Sequence, residues 1–174
     1  MEQKVTSHIV KGFVIALILI IVSVIGHLAN LALENWYGWV GIAIFFAAVV
    51  WSVNLYGTQM NNNVTFGNLF AHGFKVSAVI VCITFVFTIL SVYVIFPDTI
   101  DQILQKAIEE ARKQNNGSSE QIEQNMDMIR KITTVTVLAG SVLGGLIVGA
   151  LASLIGAAAT KKNPQGPFAQ QPQM

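Results

Sequence analysis

Charge is scarce in this sequence. Of its 174 residues only 11% are charged and 53% are hydrophobic, where a soluble domain carries about 25% charged residues. So few charges cannot cover a water-facing surface of ordinary polarity, and most of the chain's solvent must be lipid. A net formal charge of +1 supplies no basic patch for a phosphate backbone, which excludes a nucleic-acid binder. Cysteine occurs once, as Cys82, so there is neither an internal disulfide framework nor a thiolate metal cluster. Three of the 4 prolines fall after residue 160, leaving long stretches without a helix breaker. No HExxH, no phosphate-cradling glycine loop after a strand and no nucleophile elbow occurs. His8, His27 and His72 share no metal-ligand spacing. The expectation is a non-enzymatic protein without a cofactor.

What is abundant is long apolar runs. A helix needs about 20 apolar residues to cross a bilayer core of roughly 30 Å. Four runs qualify, at about residues 12–33, 37–56, 74–96 and 132–159. The first follows Lys4 and Lys11 as a signal peptide would. It exceeds the roughly 7–15 residues of such a segment, and no small-residue cleavage site follows, so it reads as a retained span. Trp36, Tyr37 and Trp39 give the second an aromatic belt at one end. Before the third, Thr65 is a helix cap, and Phe66, Leu69, Phe70 and Phe74 suggest an interfacial turn; Pro97 ends that span. All four must be helices, because an open sheet cannot satisfy its backbone in lipid. Residues 1–162 form one membrane domain in this reading, and the Pro- and Gln-rich 163–174 tail is expected to be disordered.

Between the third and fourth runs lies a polar insertion, and 7 of the chain's 9 acids sit on it. Ile100, Ile103, Leu104, Ala107, Ile108 and Ala111 recur at the spacing of one helix face. Thr99 with Gln102, and Ser118 with Gln121, have capping-box form. The turn residues 115–119 separate the first stripe from a second at Ile122, Met126, Ile129 and Ile132. The insertion, 98–131, therefore reads as a helical hairpin with two amphipathic arms. Helices this short are marginal alone, so the stripes must meet each other, the membrane or a partner. The predicted fold is all-α: an integral membrane four-helix bundle with an extramembrane amphipathic helical hairpin between spans three and four.

Within the spans, Ser23, His27, Asn30 and Glu34 recur at i, i+4, i+7 and i+11. Ionisable groups in a membrane usually face the bundle interior or a water-filled cavity. The stripe is therefore either a proton or solute pathway or interhelical glue with interfacial anchoring, and the second reading is preferred. Ser77, Thr84, Thr88 and Ser91 line the third span, where small hydroxyls can bond back to the helix. The fourth span repeats Ser141, Gly145, Gly149 and Ser153 every four residues, with Gly140 and Gly144 beside them. Small residues so spaced let helices approach closely, within the monomer or between copies. His72 and Lys75 read as an interfacial histidine beside a snorkelling lysine, an anion contact being the sharper alternative.

The four-span pattern, "TFGNLFAHGFKVSA" entering the third span, "SVYVIFPDTIDQIL" leaving it, and the closing "LIGAAATKK" together resemble an uncharacterised bacterial family, domain of unknown function 4199. The resemblance runs from about Val10 to Lys162. It implies a multi-pass inner-membrane protein of Gram-negative bacteria and carries no activity, cofactor or site residues. Lys and Arg are evenly divided between the two membrane faces. The first loop, with Glu34 and no basic residue, favours both termini on the cytoplasmic side. The function expected is assembly with a partner or with itself in the lipid bilayer, through the hairpin or the fourth span. The alternative is a small transporter or channel subunit using the Ser23–Glu34 stripe.

Overall fold

Two asparagines with left-handed backbones decide where the first two helices stop. The computed structural model describes residues 5–113 and 125–163. Helix α1, His8–Leu28, starts where the Ser7 hydroxyl accepts from the Ile9 N–H at 3.2 Å. It ends at Asn30, φ 55°, with Leu31 N–H donating to the Gly26 carbonyl and Asn30 N–H to that of His27. This pair of bonds is the Schellman closure, for which asparagine is the usual substitute for glycine. Helix α2, Asn35–Gln59, ends in the same way at Asn61, φ 53°, with Asn62 N–H donating to the Gly57 carbonyl. The first helix therefore stops at Leu28, short of the Leu33 read from hydropathy alone. Hydropathy cannot see a φ angle.

Helix α3, Phe66–Leu90, is capped by the Thr65 hydroxyl, which accepts from the Asn68 N–H at 3.3 Å. The segment expected as a separate interfacial turn is its first two turns, since no proline interrupts the path into the span. At the far end, Ser91–Ile95 widens into a π-helical turn in which Phe96 N–H donates to the Ser91 carbonyl at 2.8 Å. Pro97 has no N–H to continue the ladder and pushes the preceding residue out of helical geometry. Phe96 is at φ −132°, ψ 66°. Helix α4, Thr99–Lys113, follows. Thr99 does not cap it as expected: it is the first helical residue, and its hydroxyl donates to the Phe96 carbonyl at 2.7 Å, doubling the turn bond from its own N–H. Helix α5, Met126–Ala159, closes the fold; Lys162 Nζ donates to the Ala157 carbonyl at 2.6 Å. A cation at a helix C-terminus is favourable.

α1, α2, α3 with its π turn, and α5 are each long and apolar enough to cross a membrane. Among the described residues there is no strand. Ile9, Phe13, Ile21 and Ile25 on α1 are all more than half exposed, a surface stable only in lipid. This is a multi-pass membrane protein. At roughly 1.5 Å per residue, the 34 residues of α5 outrun a bilayer core, so its charged first turns, with Arg130 and Lys131, extend beyond it.

The described residues form two compact units, residues 5–83 with 145–163 and residues 84–113 with 125–144. In the first, α3 and α5 approach through small residues. A Cβ built on Gly73 would lie 2.5 Å from Val53 and 2.7 Å from the Ser153 hydroxyl, and one on Gly149 would lie 2.5 Å from the Ser77 Cβ. Ser77 and Ser153 are fully buried and donate to the carbonyls of Gly73 and Gly149, four residues back. Such bonds satisfy the hydroxyl without a partner helix. Gly145 meets Val81. Three of the expected packing residues, Gly145, Gly149 and Ser153, thus serve contact inside one chain. A Cβ on Gly140 or Gly144 would meet nothing within 4 Å, and Ser141 donates to the Leu138 carbonyl at 2.8 Å.

In the second unit, Ile100, Leu104 and Ile108 are buried. Val92, Ile100 and Leu104 form a small core, with Ile103, Ile129 and Val137 packed on it. The apolar face of α4 is filled by α5 and the π turn. Met126 stays 37% exposed. The 115–119 turn, Ser118, Gln121 and Ile122 lie outside the described residues, as does the tail from 164. Arg130 donates to the Asp101 carboxylate at 2.7 Å, both side chains about half exposed. Pairs of this kind contribute roughly 0–1 kcal/mol. Asp101→Asn is therefore expected to lower stability in a thermal melt by under about 1 kcal/mol.

Candidate functional site

The first unit brings a cluster of polar side chains together at the end where α1 begins, α2 ends and α3 begins. Three pairs spaced i, i+3 supply them: His8 and Lys11 on α1, Tyr56 and Gln59 on α2, His72 and Lys75 on α3. Successive antiparallel helices bring those three helix ends together. Lys11 is 5% exposed and His72 is 8% exposed. The Lys11 ammonium lies 3.4 Å from each of three acceptors: the Ser52 carbonyl, Gln59 Oε1 and His72 Nε2. These are long hydrogen bonds, but an ammonium has three donors and each has a direction to go. The Tyr56 ring adds its face at 5.9 Å, a cation–π distance.

His72 is fixed by two aromatic contacts as well. Its ring stacks on Tyr56 with centroids 4.0 Å apart and planes at 5°, and His8 meets it edge-on at 6.4 Å. An ammonium only donates, so Nε2 is the acceptor in the Lys11 contact and the imidazole proton belongs on Nδ1. Gln59 ties the segment before α1 to the end of α2: its Oε1 accepts from the Thr6 N–H at 3.2 Å and its Nε2 donates to the Thr6 hydroxyl at 3.0 Å. Gln59→Leu removes both bonds and one acceptor of Lys11. Hydrogen exchange at the Thr6 amide should then accelerate about tenfold, the equivalent of about 1.4 kcal/mol in local opening, with α3 amides unchanged.

Beside this cluster lies an open cavity of about 270 Å³, lined among others by Ser7, His8, Asn68, His72 and Lys75. No Asp or Glu occurs in residues 5–11, 52–75 or 157–163. Among the described residues, the cations of this end, Lys11, Lys75, Lys161 and Lys162, therefore have no carboxylate in these segments; Glu2 lies outside the described residues. Sequence reasoning missed the cluster because it treated Lys11 as a flank of the first span and His72 as an interfacial residue. The repeated i, i+3 polar pairs at matching helix ends were the available signal.

The Ser23, His27, Asn30 and Glu34 stripe is divided by the end of α1. Ser23 and His27 stay on the helix, where His27 Nδ1 lies 3.0 Å from the Ser23 carbonyl and so must donate to it. With Tyr37, whose hydroxyl donates to the Val22 carbonyl at 2.6 Å, they line a second cavity of about 210 Å³. Asn30 is the left-handed closing residue of α1, and Glu34 is the residue before α2. There a carboxylate complements the helix dipole. The four are not one stripe, because the helical period stops at Leu28. Among the described residues no three of His, Cys, Asp and Glu gather as a metal site.

The family model described as Protein of unknown function (DUF4199) matches residues 11–162. The chain belongs to this family. In this DUF4199 member the match takes in Lys11, Tyr56, Gln59, His72 and Lys75, and leaves His8 and the segment before it outside. No curated protein and no solved structure matches the chain.

Proposed function

We propose that this DUF4199 protein is a non-enzymatic component of a bacterial inner membrane that works by binding at its termini-side face, in assembly with a partner or with itself. The observation that carries the reading is the buried Lys11–His72 pair beside an open cavity, at an end of the first unit that holds cations without acids among the described residues. A buried charge costs several kcal/mol unless something offsets it, and such groups in membrane proteins mark functional sites. Farther along the same helices Ile15, Ala16, Phe45, Val49, Val76 and Ile80 are buried, and the buried Ser77 hydroxyl among them bonds back to the Gly73 carbonyl. That apolar middle favours binding at one end over passage through the bundle. Lys and Arg are evenly divided between the two faces, and it is the first loop, with Glu34 and no basic residue, that favours a cytoplasmic location for both termini.

A transporter reading keeps one specific support, the cavity at Ser23, His27 and Tyr37. The two are separated by a proton-flux assay in proteoliposomes carrying an imposed pH gradient. Binding predicts wild-type flux equal to that of protein-free vesicles and unaltered by His27→Ala. Flux above that background, lost in His27→Ala, would replace the binding reading with transport.

A further inference from the structure

We infer that the cavity between the starts of α1 and α3 and the end of α2 is an anion site for a phosphate group, of the kind carried by an anionic lipid headgroup. This inference rests on the binding reading above and names a ligand for that face. Two of the groups that define the site are more than nine-tenths buried. His72, 8% exposed, lines the cavity. Its Nε2 is turned to Lys11, which leaves Nδ1 as the hydrogen-bond donor this lining residue can offer a ligand. Lys11, 5% exposed, stands behind His72 with its donors directed at the Ser52 carbonyl, Gln59 and His72. It therefore does not need to touch the ligand; it contributes a positive charge held in low dielectric, where Coulomb attraction is strong.

The rest of the lining suits the same occupant. Lys75 supplies an exposed ammonium at the rim, His8 a second imidazole, and Ser7 and Asn68 neutral polar groups. Ser7 also begins α1, so the orphan N–H groups of a helix start lie close by. Among the described residues, no carboxylate in the neighbouring segments opposes an anion. Depth agrees as well, because the site lies within the first turn of α1 and the first three turns of α3, at the level of headgroups rather than tails. A volume of about 270 Å³ is below the usual roughly 300–1,000 Å³ of a small-molecule pocket, which fits a headgroup.

The test compares full-length protein in nanodiscs of phosphatidylcholine alone with nanodiscs that also contain phosphatidylglycerol. The lipid retained on the protein is read by native mass spectrometry. A parallel arm titrates inorganic phosphate into the phosphatidylcholine sample and follows it by phosphorus NMR. A charge-assisted hydrogen bond contributes about 1.5–3 kcal/mol, so losing one lowers affinity at least about tenfold. Wild type should retain phosphatidylglycerol selectively, the His8→Ala, Lys75→Ala double variant should lose at least tenfold of that selectivity, and Lys75→Arg should keep it. Saturable phosphate binding lost in the same double variant, without lipid selectivity, would support the site and assign it a soluble phosphate. Retention equal in the folded double variant and wild type, or neither ligand held by wild type, overturns the inference. Proton flux would sink the binding reading on its own and leave lipid retention readable, so the two failures are distinct.

Discussion

Gly149→Leu is expected to destabilise the first unit by about 3 kcal/mol or more, at the upper end of what overpacking costs, whereas Gly144→Leu leaves stability within about 0.5 kcal/mol, as surface changes do. Both positions are glycines of α5 five residues apart, both belong to the small-residue pattern of that helix, and hydropathy ranks them alike. The difference is what each faces. A Cβ on Gly149 would lie 2.5 Å from the Ser77 Cβ and 2.7 Å from its hydroxyl, with Phe45 next at 3.5 Å, and α3 cannot retreat without opening its own contacts with α2 through Gly73 and Val53. At Gly144 nothing lies within 4 Å, and lipid accommodates the added side chain. Unfolding in mixed detergent micelles, followed by circular dichroism, gives both numbers. Equal losses would mean that α5 does not meet α3 in this register. A loss at Gly144 that shrinks on dilution of the protein would instead report a second copy on that face.

The second large effect is expected in α4. Leu104→Ala should cost 2–5 kcal/mol, the usual range for a buried leucine, and release the helix from its neighbours. Leu104 is 4% exposed and shares its cluster with Ile100 and Val92. α4 has 15 residues, a length at which an isolated helix is marginal in water, so little holds it once the contact is lost. Amide exchange across residues 99–113 should approach that of an open chain, while the amides of α1 and α2 keep their protection. Met126→Ala, at a side chain 37% exposed, should leave α4 protected. If Leu104→Ala leaves α4 slow to exchange, the apolar face is held by something other than α5 and the π turn, and docking of a partner there returns.

Much of this architecture is legible in the sequence because lipid imposes a simple rule. Four apolar runs of sufficient length became four membrane-length helices, and Ile100, Leu104 and Ile108 of the expected stripe became a buried helix face, while Ala107 of the same stripe stays exposed. The ends were less legible. Asn30 looks like part of a polar helix face, yet its amide side chain tolerates the left-handed backbone that ends α1, and that conformational role erased the stripe with Glu34. Thr99 looks like a cap, but the π turn before Pro97 moved the helix start by one residue. In the fourth span the four-residue spacing marks close packing without saying which small residues are used; only the partners across α3 separate Gly145, Gly149 and Ser153 from Gly140 and Gly144. The Lys11–His72 cluster was hidden for a different reason. Its members lie 61 residues apart, and each, taken alone on its own helix, is an ordinary interfacial side chain.

The central claim is that the chain crosses the membrane four times; with both termini cytoplasmic, as proposed, residues between the second and third spans face the cytoplasm and those between the third and fourth face outward. Cysteine labelling in intact bacterial spheroplasts tests it most directly, using a Cys82→Ser background and single cysteines in place of Asn68, at the cavity rim, or Glu109, on α4. A thiol reagent that cannot cross the membrane should modify Glu109→Cys in intact cells and reach Asn68→Cys only after permeabilisation. Labelling of both from outside, or of neither, would contradict four spans; the reversed pattern would place the cationic cavity outside the cell and contradict the orientation on which the binding reading stands.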